Sequence, residues 1–158
     1  MGSESSESES NEQGIDDCPS RRLDDGGPVV DRPASTLMVK IDGFESVGQA
    51  KRRRKIIDQV SWVIIDTLRS SDAVYRHGDA GFCVVMAKTP ENEALAAADR
   101  LRSNVESMPL LAEAGVTVAV GVAVGSEADL PRSIARAEAA IMNGHVANRV
   151  VRAEDPSD

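Results

Sequence analysis

Aromatic residues are scarce in this chain: one Trp, one Tyr and two Phe make up 3% of its 158 residues. Proteins that bind single-stranded nucleic acid commonly stack the bases on aromatic side chains. None of the four aromatic residues lies in the only strongly basic run, KRRRK at residues 51–55. The composition therefore argues against a nucleic-acid-binding protein.

Cysteines and long apolar runs are scarce as well. Cys18 and Cys83 lie in regions of different character and lack the spacing of a metal site, so we expect two free thiols, with Cys83 a small core residue. No segment approaches the ~20 apolar residues that a membrane helix needs. The first residues also lack the basic-then-apolar order of a secretion signal. These features predict a cytoplasmic protein without a membrane partner.

Negative charge is concentrated at one end of the chain. The first 33 residues carry nine acidic and three basic side chains, a net charge of −6 out of −8 for the whole chain. This segment has almost no large apolar residues, so it cannot bury enough surface to offset the entropy of ordering it. We expect a disordered acidic tail at residues 1–33, one folded domain at residues 34–153 and a disordered end at residues 154–158.

Strand and helix patterns alternate in the folded part. Leu37, Val39 and Ile41 alternate with polar or flexible residues, which predicts a half-buried strand over residues 35–44. A broad apolar face after the basic run predicts a core helix. Two short β-prone runs joined by a Gly/Asp turn then predict a hairpin.

The second half of the domain repeats the alternation. Thr89 as N-cap and Pro90 as first helical residue predict a second helix. A glycine-bounded apolar run over residues 115–125 predicts a central strand, and an Ala-rich helix ending at Gly144 and a short edge strand follow. This order suits an α+β or α/β sandwich, in which helices cover an antiparallel or mixed sheet.

Four stretches resemble the GGDEF family, the diguanylate cyclases that join two GTP into cyclic di-GMP. In order along residues 35–152 they are LMVKIDGF, LRSSDAVYRHGDAGF, VTVAVGVAVG, and ARAEAAIMNG followed by NRV. The resemblance implies a GGDEF or nucleotidyl-cyclase-like fold. Such a fold has a mainly antiparallel five-stranded sheet with helices packed on both faces.

The resemblance also shows where the family's catalytic groups would stand, and here several of those positions carry other side chains. Ala80 and Gly81 occupy the places of the signature Asp and Glu, and Lys40 replaces the first carboxylate of the family's Asp-x-Asp strand, leaving Asp42 as the second. Ala147 stands opposite an Arg that holds triphosphate in the family. The complete signature loop reads Gly78, Asp79, Ala80, Gly81 and Phe82.

Phosphoryl transfer between two GTP molecules needs cations that are held by carboxylates. The missing carboxylates therefore lead us to expect a degenerate domain that is not an enzyme, holds no metal and uses no cofactor. Lys40 allows two interpretations, a solvated position or a metal-free contact to a nucleotide phosphate.

One family motif is retained. Arg69 and Asp72 form Arg-x-x-Asp nine residues before Gly78, the place of the family's inhibitory site, where the cyclic product binds. A guanidinium can bond to guanine O6 and N7 together, and a carboxylate can accept from the guanine ring N–H and amino group. The resemblance thus implies a cyclic di-GMP site at these two residues. A local surface ion pair is the competing interpretation.

The basic run at residues 51–55 places five cations at a helix start, where the helix dipole disfavours them. Three interpretations of this run stay open: it forms a solvated face, it binds an anionic partner, or it pairs with the acidic tail. The chain as a whole is interpreted as a cyclic di-GMP receptor or regulator. The alternative is a protein-interaction module that pairs with an active cyclase, another partner or a second copy of itself without binding nucleotide.

Overall fold

The computed structural model describes residues 16–17, 32–144 and 147–154. The predicted tail lies outside these ranges except for residues 16–17 and 32–33, and so do Cys18 and residues 155–158. None of the helices within these ranges is both long and apolar enough to span a bilayer.

One sheet forms the centre of the domain. Its strands in chain order are β1 (Asp16–Asp17), β2 (Pro33–Asp42), β3 (Ala73–Arg76), β4 (Gly81–Ala87), β5 (Thr117–Ser126) and β6 (Val150–Arg152). Their order across the sheet is β1-β3-β4-β2-β5-β6. The three inner pairings are antiparallel, and the two edge pairings, β1 with β3 and β5 with β6, are parallel. The prediction of a mainly antiparallel five-stranded sheet is confirmed for β2 to β6, and β1 adds two residues at one edge.

Helices cover both faces of this sheet, as predicted. They are α1 (Ala50–Thr67), α2 (Glu91–Ser107), α3 (Pro109–Glu113) and α4 (Leu130–Gly144), with short 3₁₀ turns at Phe44–Ser46 and Glu127–Asp129. The helices α1, α2 and α3 share the larger apolar core with one face, and α4 forms a second core on the other. At Gly121 a Cβ would lie 2.2 Å from the carbonyl oxygen of Ala137, so glycine is what lets α4 approach β5 so closely.

The central strand β2 is more deeply buried than predicted. Leu37, Val39 and Ile41 face the core under α1 and α2, as their alternation indicates. Met38, on the opposite face, is also buried, in the core under α4. The prediction of a half-buried strand was wrong because α4 covers the face that was expected to meet solvent. Within β2 only Pro33, Lys40 and Asp42, at its ends, escape full burial.

Two helix details differ from the prediction. Helix α1 carries the basic run in its first two turns, but the apolar face after that run is narrower than predicted, since Ile65 is 49% exposed. Helix α2 begins at Glu91, one residue later than predicted, and Thr89 makes no capping hydrogen bond. The Thr89 hydroxyl instead donates to the carbonyl oxygen of Ala87, 3.0 Å away.

Candidate functional site

The hairpin between β3 and β4 lies beside the C-terminal half of β2. Lys40 is paired with Gly81 across the two strands, and the Ile41 N–H donates to the carbonyl oxygen of Ala80 at 2.8 Å. The positions in β2 and in the signature loop to which the family resemblance drew attention are therefore neighbours in space. They meet because the short turn after β3 returns the chain directly alongside β2.

Arg76, which sequence reasoning did not single out, organises this loop. Its Nη2 donates to the carbonyl oxygens of Gly78 and Asp79, at 3.2 and 3.1 Å. Its guanidinium lies 5.5 Å from the centre of the Phe82 ring, within the range of a cation–π contact. The available signal was an Arg placed just before a Gly/Asp turn.

Close backbone packing also restricts the hairpin at Gly81. A Cβ at this position would lie 2.8 Å from the carbonyl oxygen of His77 and 2.9 Å from that of Val39. Both neighbours are backbone atoms held in the sheet, so they cannot move aside as a flexible side chain would. The position that carries Glu in the family motif therefore has no room for a side chain in this backbone.

Asp42, at the end of β2, anchors the loop that precedes β6. Its Oδ2 accepts hydrogen bonds from the backbone N–H of Asn148 at 2.8 Å and the hydroxyl of Thr117 at 3.1 Å. Burial raises the pKa of the Asp42 carboxyl, although these two hydrogen bonds and the charge of Lys40 act to lower it. Asn148 has a φ of 56°, in the left-handed region that Asn tolerates better than most residues.

Asn148 in turn connects this loop to α2. Its Oδ1 accepts from Nη1 of Arg102 at 3.1 Å, and its Nδ2 donates to Oε2 of Glu106 at 3.0 Å. Arg102 also pairs with Asp99 one turn earlier. Sequence reasoning identified neither Arg102 nor Asn148, because partners more than 40 residues apart leave no local pattern.

The side chains near the hairpin do not fit the divalent cations that the family chemistry uses. Lys40 is itself a cation, Ala80 and Gly81 carry no donor, and Asp42 is engaged by Asn148. In the described ranges, no group of three or more His, Cys, Asp or Glu side chains is placed to hold a metal ion.

Arg69 and Asp72 lie together in the turn that follows α1. The backbone N–H of Asp72 donates to the carbonyl oxygen of Arg69, and the backbone N–H of Arg69 donates to Asp72 Oδ2, both at 3.0 Å. The guanidinium Nε of Arg69 is 3.9 Å from the same carboxylate oxygen. The two residues therefore form a compact turn whose carboxylate faces the guanidinium.

Burial differs sharply between these two side chains. The Asp72 side chain is 1% exposed and that of Arg69 is 59% exposed. Asp72 Oδ1 is buried and has no hydrogen-bond partner among the described residues. Nη2 of Arg69 donates to the hydroxyl of Thr89 at 2.9 Å, which ties the guanidinium to the segment before α2. A simple surface ion pair does not describe this arrangement, because its acidic member is buried.

Comparison with known proteins agrees with the resemblance found in the sequence. The family model "Diguanylate cyclase, GGDEF domain" matches residues 28–149. The chain is 33% identical over 116 residues to the diguanylate cyclase DosC of Escherichia coli, a match that covers 72% of this chain and 22% of DosC. The chain thus spans about a fifth of the length of this curated relative.

Solved structures share the fold at lower identity. The GGDEF domain of DgcB from Caulobacter crescentus, in complex with c-di-GMP, superimposes with a TM-score of 0.67 at 22% identity, covering 78% of this chain and 80% of that domain's chain. Diguanylate cyclase SiaD from Pseudomonas aeruginosa, in complex with its activator SiaC, gives a TM-score of 0.68 at 19% identity, covering 77% of this chain and 50% of SiaD.

These matches overturn one prediction. The chain was expected not to be an enzyme, but the family that it matches is one of diguanylate cyclases, and a relative at 33% identity bears that enzyme's name. The prediction relied on the side chains of Lys40, Ala80 and Gly81, whereas the match extends over residues 28–149. This chain belongs to the GGDEF family of diguanylate cyclases.

Proposed function

We propose that this GGDEF domain takes part in cyclic di-GMP signalling by binding cyclic di-GMP at Arg69 and Asp72. The observation that carries the proposal is the buried Oδ1 of Asp72, which has no partner among the described residues. A buried polar atom left unpaired costs about 1–3 kcal/mol, so most buried polar atoms in folded proteins have a hydrogen-bond partner. The Arg69 side chain beside Asp72 is 59% exposed, and its guanidinium is held by one hydrogen bond, to the Thr89 hydroxyl.

The chemistry of the two side chains suits one guanine base. The Asp72 carboxylate can accept from the ring N–H and the exocyclic amino group of guanine. The Arg69 guanidinium can donate to O6 and N7 on the other edge, or to a phosphate oxygen of the same ligand. In the absence of ligand, the Thr89 hydroxyl holds the guanidinium beside the carboxylate. Binding therefore requires exchange of one hydrogen bond and a rotation of Arg69.

The fold neighbours support the ligand class. The DgcB domain, which shares this fold, was solved with c-di-GMP bound. Because its identity to this chain is only 22%, that likeness establishes the fold, and the ligand is carried over as part of our proposal. A cytoplasmic location is consistent with a dinucleotide ligand and stays a prediction.

Isothermal titration with cyclic di-GMP tests the site. We expect the native chain to bind, and Arg69→Ala and Asp72→Asn each to weaken binding by about tenfold or more, as loss of a charge-assisted hydrogen bond would. Arg100→Ala is the matched control, because Arg100 is an exposed arginine of α2 with no ion pair among the described residues. No heat from the native chain, or binding that survives Arg69→Ala, would contradict the proposal.

Cyclase activity is carried to this chain as a separate proposal, from the name of its 33% identical relative. It is measured by incubating the native chain with GTP and Mg²⁺ and separating the nucleotides by chromatography. Formation of cyclic di-GMP would support it. A reaction without product would contradict it and would leave the ligand titration unaffected.

A second candidate function is that of a protein-interaction module. Trp62 and Ile65 of α1 are 56% and 49% exposed and lie three residues apart, so they share one face of the helix. SiaD, which has the same fold, was solved with an activator protein. For pairing with a second copy, light scattering should show a native dimer that Trp62→Glu converts to a monomer. Met142→Glu, which changes an equally exposed apolar residue on α4, should leave the dimer intact.

A further inference from the structure

The outer edge of β3 is only partly covered by the described part of the chain. The short strand β1 pairs in parallel with the second half of β3, at Tyr75 and Arg76. Among the described residues, none pairs with Ala73 or Val74 on this side of the strand. Unpaired strand edges are ready templates for another extended segment, and native proteins usually cover them. The first half of β3 therefore presents an edge to which a further segment can pair.

The backbone of Val74 points toward this open edge. The His77 N–H donates to the carbonyl oxygen of Gly81 at 3.0 Å, so the backbone groups of His77 face β4. In an antiparallel pair, hydrogen-bonded and non-hydrogen-bonded residues alternate along the strand. Tyr75 therefore faces β4 as His77 does, and Val74 faces outward. Its N–H and C=O are the groups that an added strand would bond.

The direction of β1 identifies the segment that would be added. Because β1 runs parallel to β3 with Asp16 opposite Tyr75, the chain before Asp16 continues toward the start of β3. The same register sets Ile15 opposite Val74, whose side chain packs at the margin of the larger core. Directly opposed side chains lie on one face of a sheet, so Ile15 would extend that apolar contact. Ile15 is the only large apolar residue among residues 2–22.

Beyond Ile15 the same path leads to the turn that contains Arg69 and Asp72. A strand rises ~3.3 Å per residue on both sides of a ladder, so the chain draws level with Asp72 about two residues before Ile15. Arg69 is the only cation of that turn, and its side chain is 59% exposed. The sequence that would arrive there has no Lys or Arg and is acidic, with Glu4, Glu7, Glu9 and Glu12. Its charge is therefore complementary to that of the exposed guanidinium.

We propose that the outer edge of β3 and the guanidinium of Arg69 form a docking surface for this chain's own acidic segment at residues 9–15, the docking segment. This segment lies outside the described ranges. Its end nearest β1 extends the sheet, and the carboxylates of Glu9 and Glu12 bind Arg69. A carboxylate on Arg69 competes with an anionic dinucleotide for the same side chain, so the docking segment weakens the binding of cyclic di-GMP. This consequence rests on the proposed function, whereas the docking does not.

Amide hydrogen exchange of the full chain, followed by NMR, tests the pairing with β3. We expect the Val74 amide to exchange at least about tenfold more slowly in the native chain than in Ile15→Asp, which places a charge against the apolar edge. Leu23→Asp is the matched control, because it makes the same kind of change outside the docking segment and should leave the protection intact. Equal exchange in the native chain and Ile15→Asp, or an equal loss in Leu23→Asp, would overturn the proposal. Protection that rises with protein concentration would overturn it too, because the segment would then come from a second copy.

Neutral variants test the contact to Arg69. Glu9→Gln/Glu12→Gln should shift the NMR signal of the Arg69 Nε–H and tighten the binding of cyclic di-GMP by about threefold or more, as loss of two exposed ion pairs would. Asp24→Asn/Asp25→Asn removes the same charge from the acidic tail outside the docking segment and should do neither. An unmoved Arg69 signal would overturn the contact, and a moved signal with unchanged affinity would overturn the competition. A native chain that binds no cyclic di-GMP would refute the proposed function and the competition, while both NMR measurements would still decide the docking.

Discussion

Replacement of Gly81 by alanine should strongly destabilise the domain. The added Cβ would approach two backbone carbonyl oxygens, of His77 and Val39, at 2.8 and 2.9 Å. Real Cβ atoms essentially never come this close, so β4 must move away from β2 at the place where Lys40 and Gly81 are paired. Overpacking of a rigid core costs about 1–3 kcal/mol. We expect a loss near the upper end of that range, because both opposing groups are backbone.

Two other glycines provide controls that separate steric crowding from backbone conformation as the cause of destabilisation. Gly78 has a φ of 69° but open space around it, so Gly78→Ala should cost only about 1–2 kcal/mol, for the left-handed backbone. Gly48 has open space and no positive φ, so Gly48→Ala should be neutral or stabilise by about 0.4–1 kcal/mol through the unfolded state.

Urea denaturation followed by circular dichroism gives the free energy of unfolding for each variant. We expect the free energy of unfolding to be lowest for Gly81→Ala, intermediate for Gly78→Ala and highest for Gly48→Ala. If Gly81→Ala were as stable as Gly48→Ala, the close approach of the hairpin to β2 would be refuted. The conclusion that position 81 has no room for the family's Glu would then fail with it.

Two further predictions concern buried polar groups. Burial raises the pKa of the Asp42 carboxyl above its ordinary value of 3.8, so the folded state binds the carboxyl proton more tightly than the unfolded chain does. The contribution of Asp42 to the stability of the fold therefore decreases as the pH rises through its folded pKa. Asp42→Asn should therefore gain stability relative to the native chain at pH 7, and this gain should shrink as the pH falls toward 4; a gain that grows instead would reverse the sign of the shift. Thr89→Val removes the hydroxyl that joins Arg69 to Ala87, so it should cost about 1–3 kcal/mol of unfolding free energy. Unchanged unfolding of Thr89→Val in urea would show that these hydrogen bonds contribute nothing.

Local sequence patterns determined the elements of this fold. The alternation of Leu37, Val39 and Ile41 predicted a strand, and the Gly/Asp turn predicted the hairpin at the right place. Such patterns work because strand pleat and turn geometry are set by residues close in the chain. The order of the elements, together with four family-like stretches, was then sufficient to identify the architecture.

Local patterns were misleading where a distant partner changed the outcome. Thr89 and Pro90 form a good helix start, yet the Thr89 hydroxyl is used by Arg69, 20 residues away. Met38 alternates with buried residues, yet it is buried itself because α4 lies on its side of the sheet. In both cases a contact made by the folded chain outweighed a local preference.

The sequence by itself determined the position of Arg69 and Asp72 in one short turn, since residues three apart cannot lie far from each other. Only the tertiary structure decided that the Asp72 side chain is buried, that one of its oxygens has no described partner and that Thr89 binds the guanidinium of Arg69. It alone also brought Asn148 to Asp42, 106 residues away, and α3 to the basic start of α1. The physical reason is that burial and hydrogen bonding depend on which segments pack together, and a sequence pattern contains no record of partners that lie far along the chain.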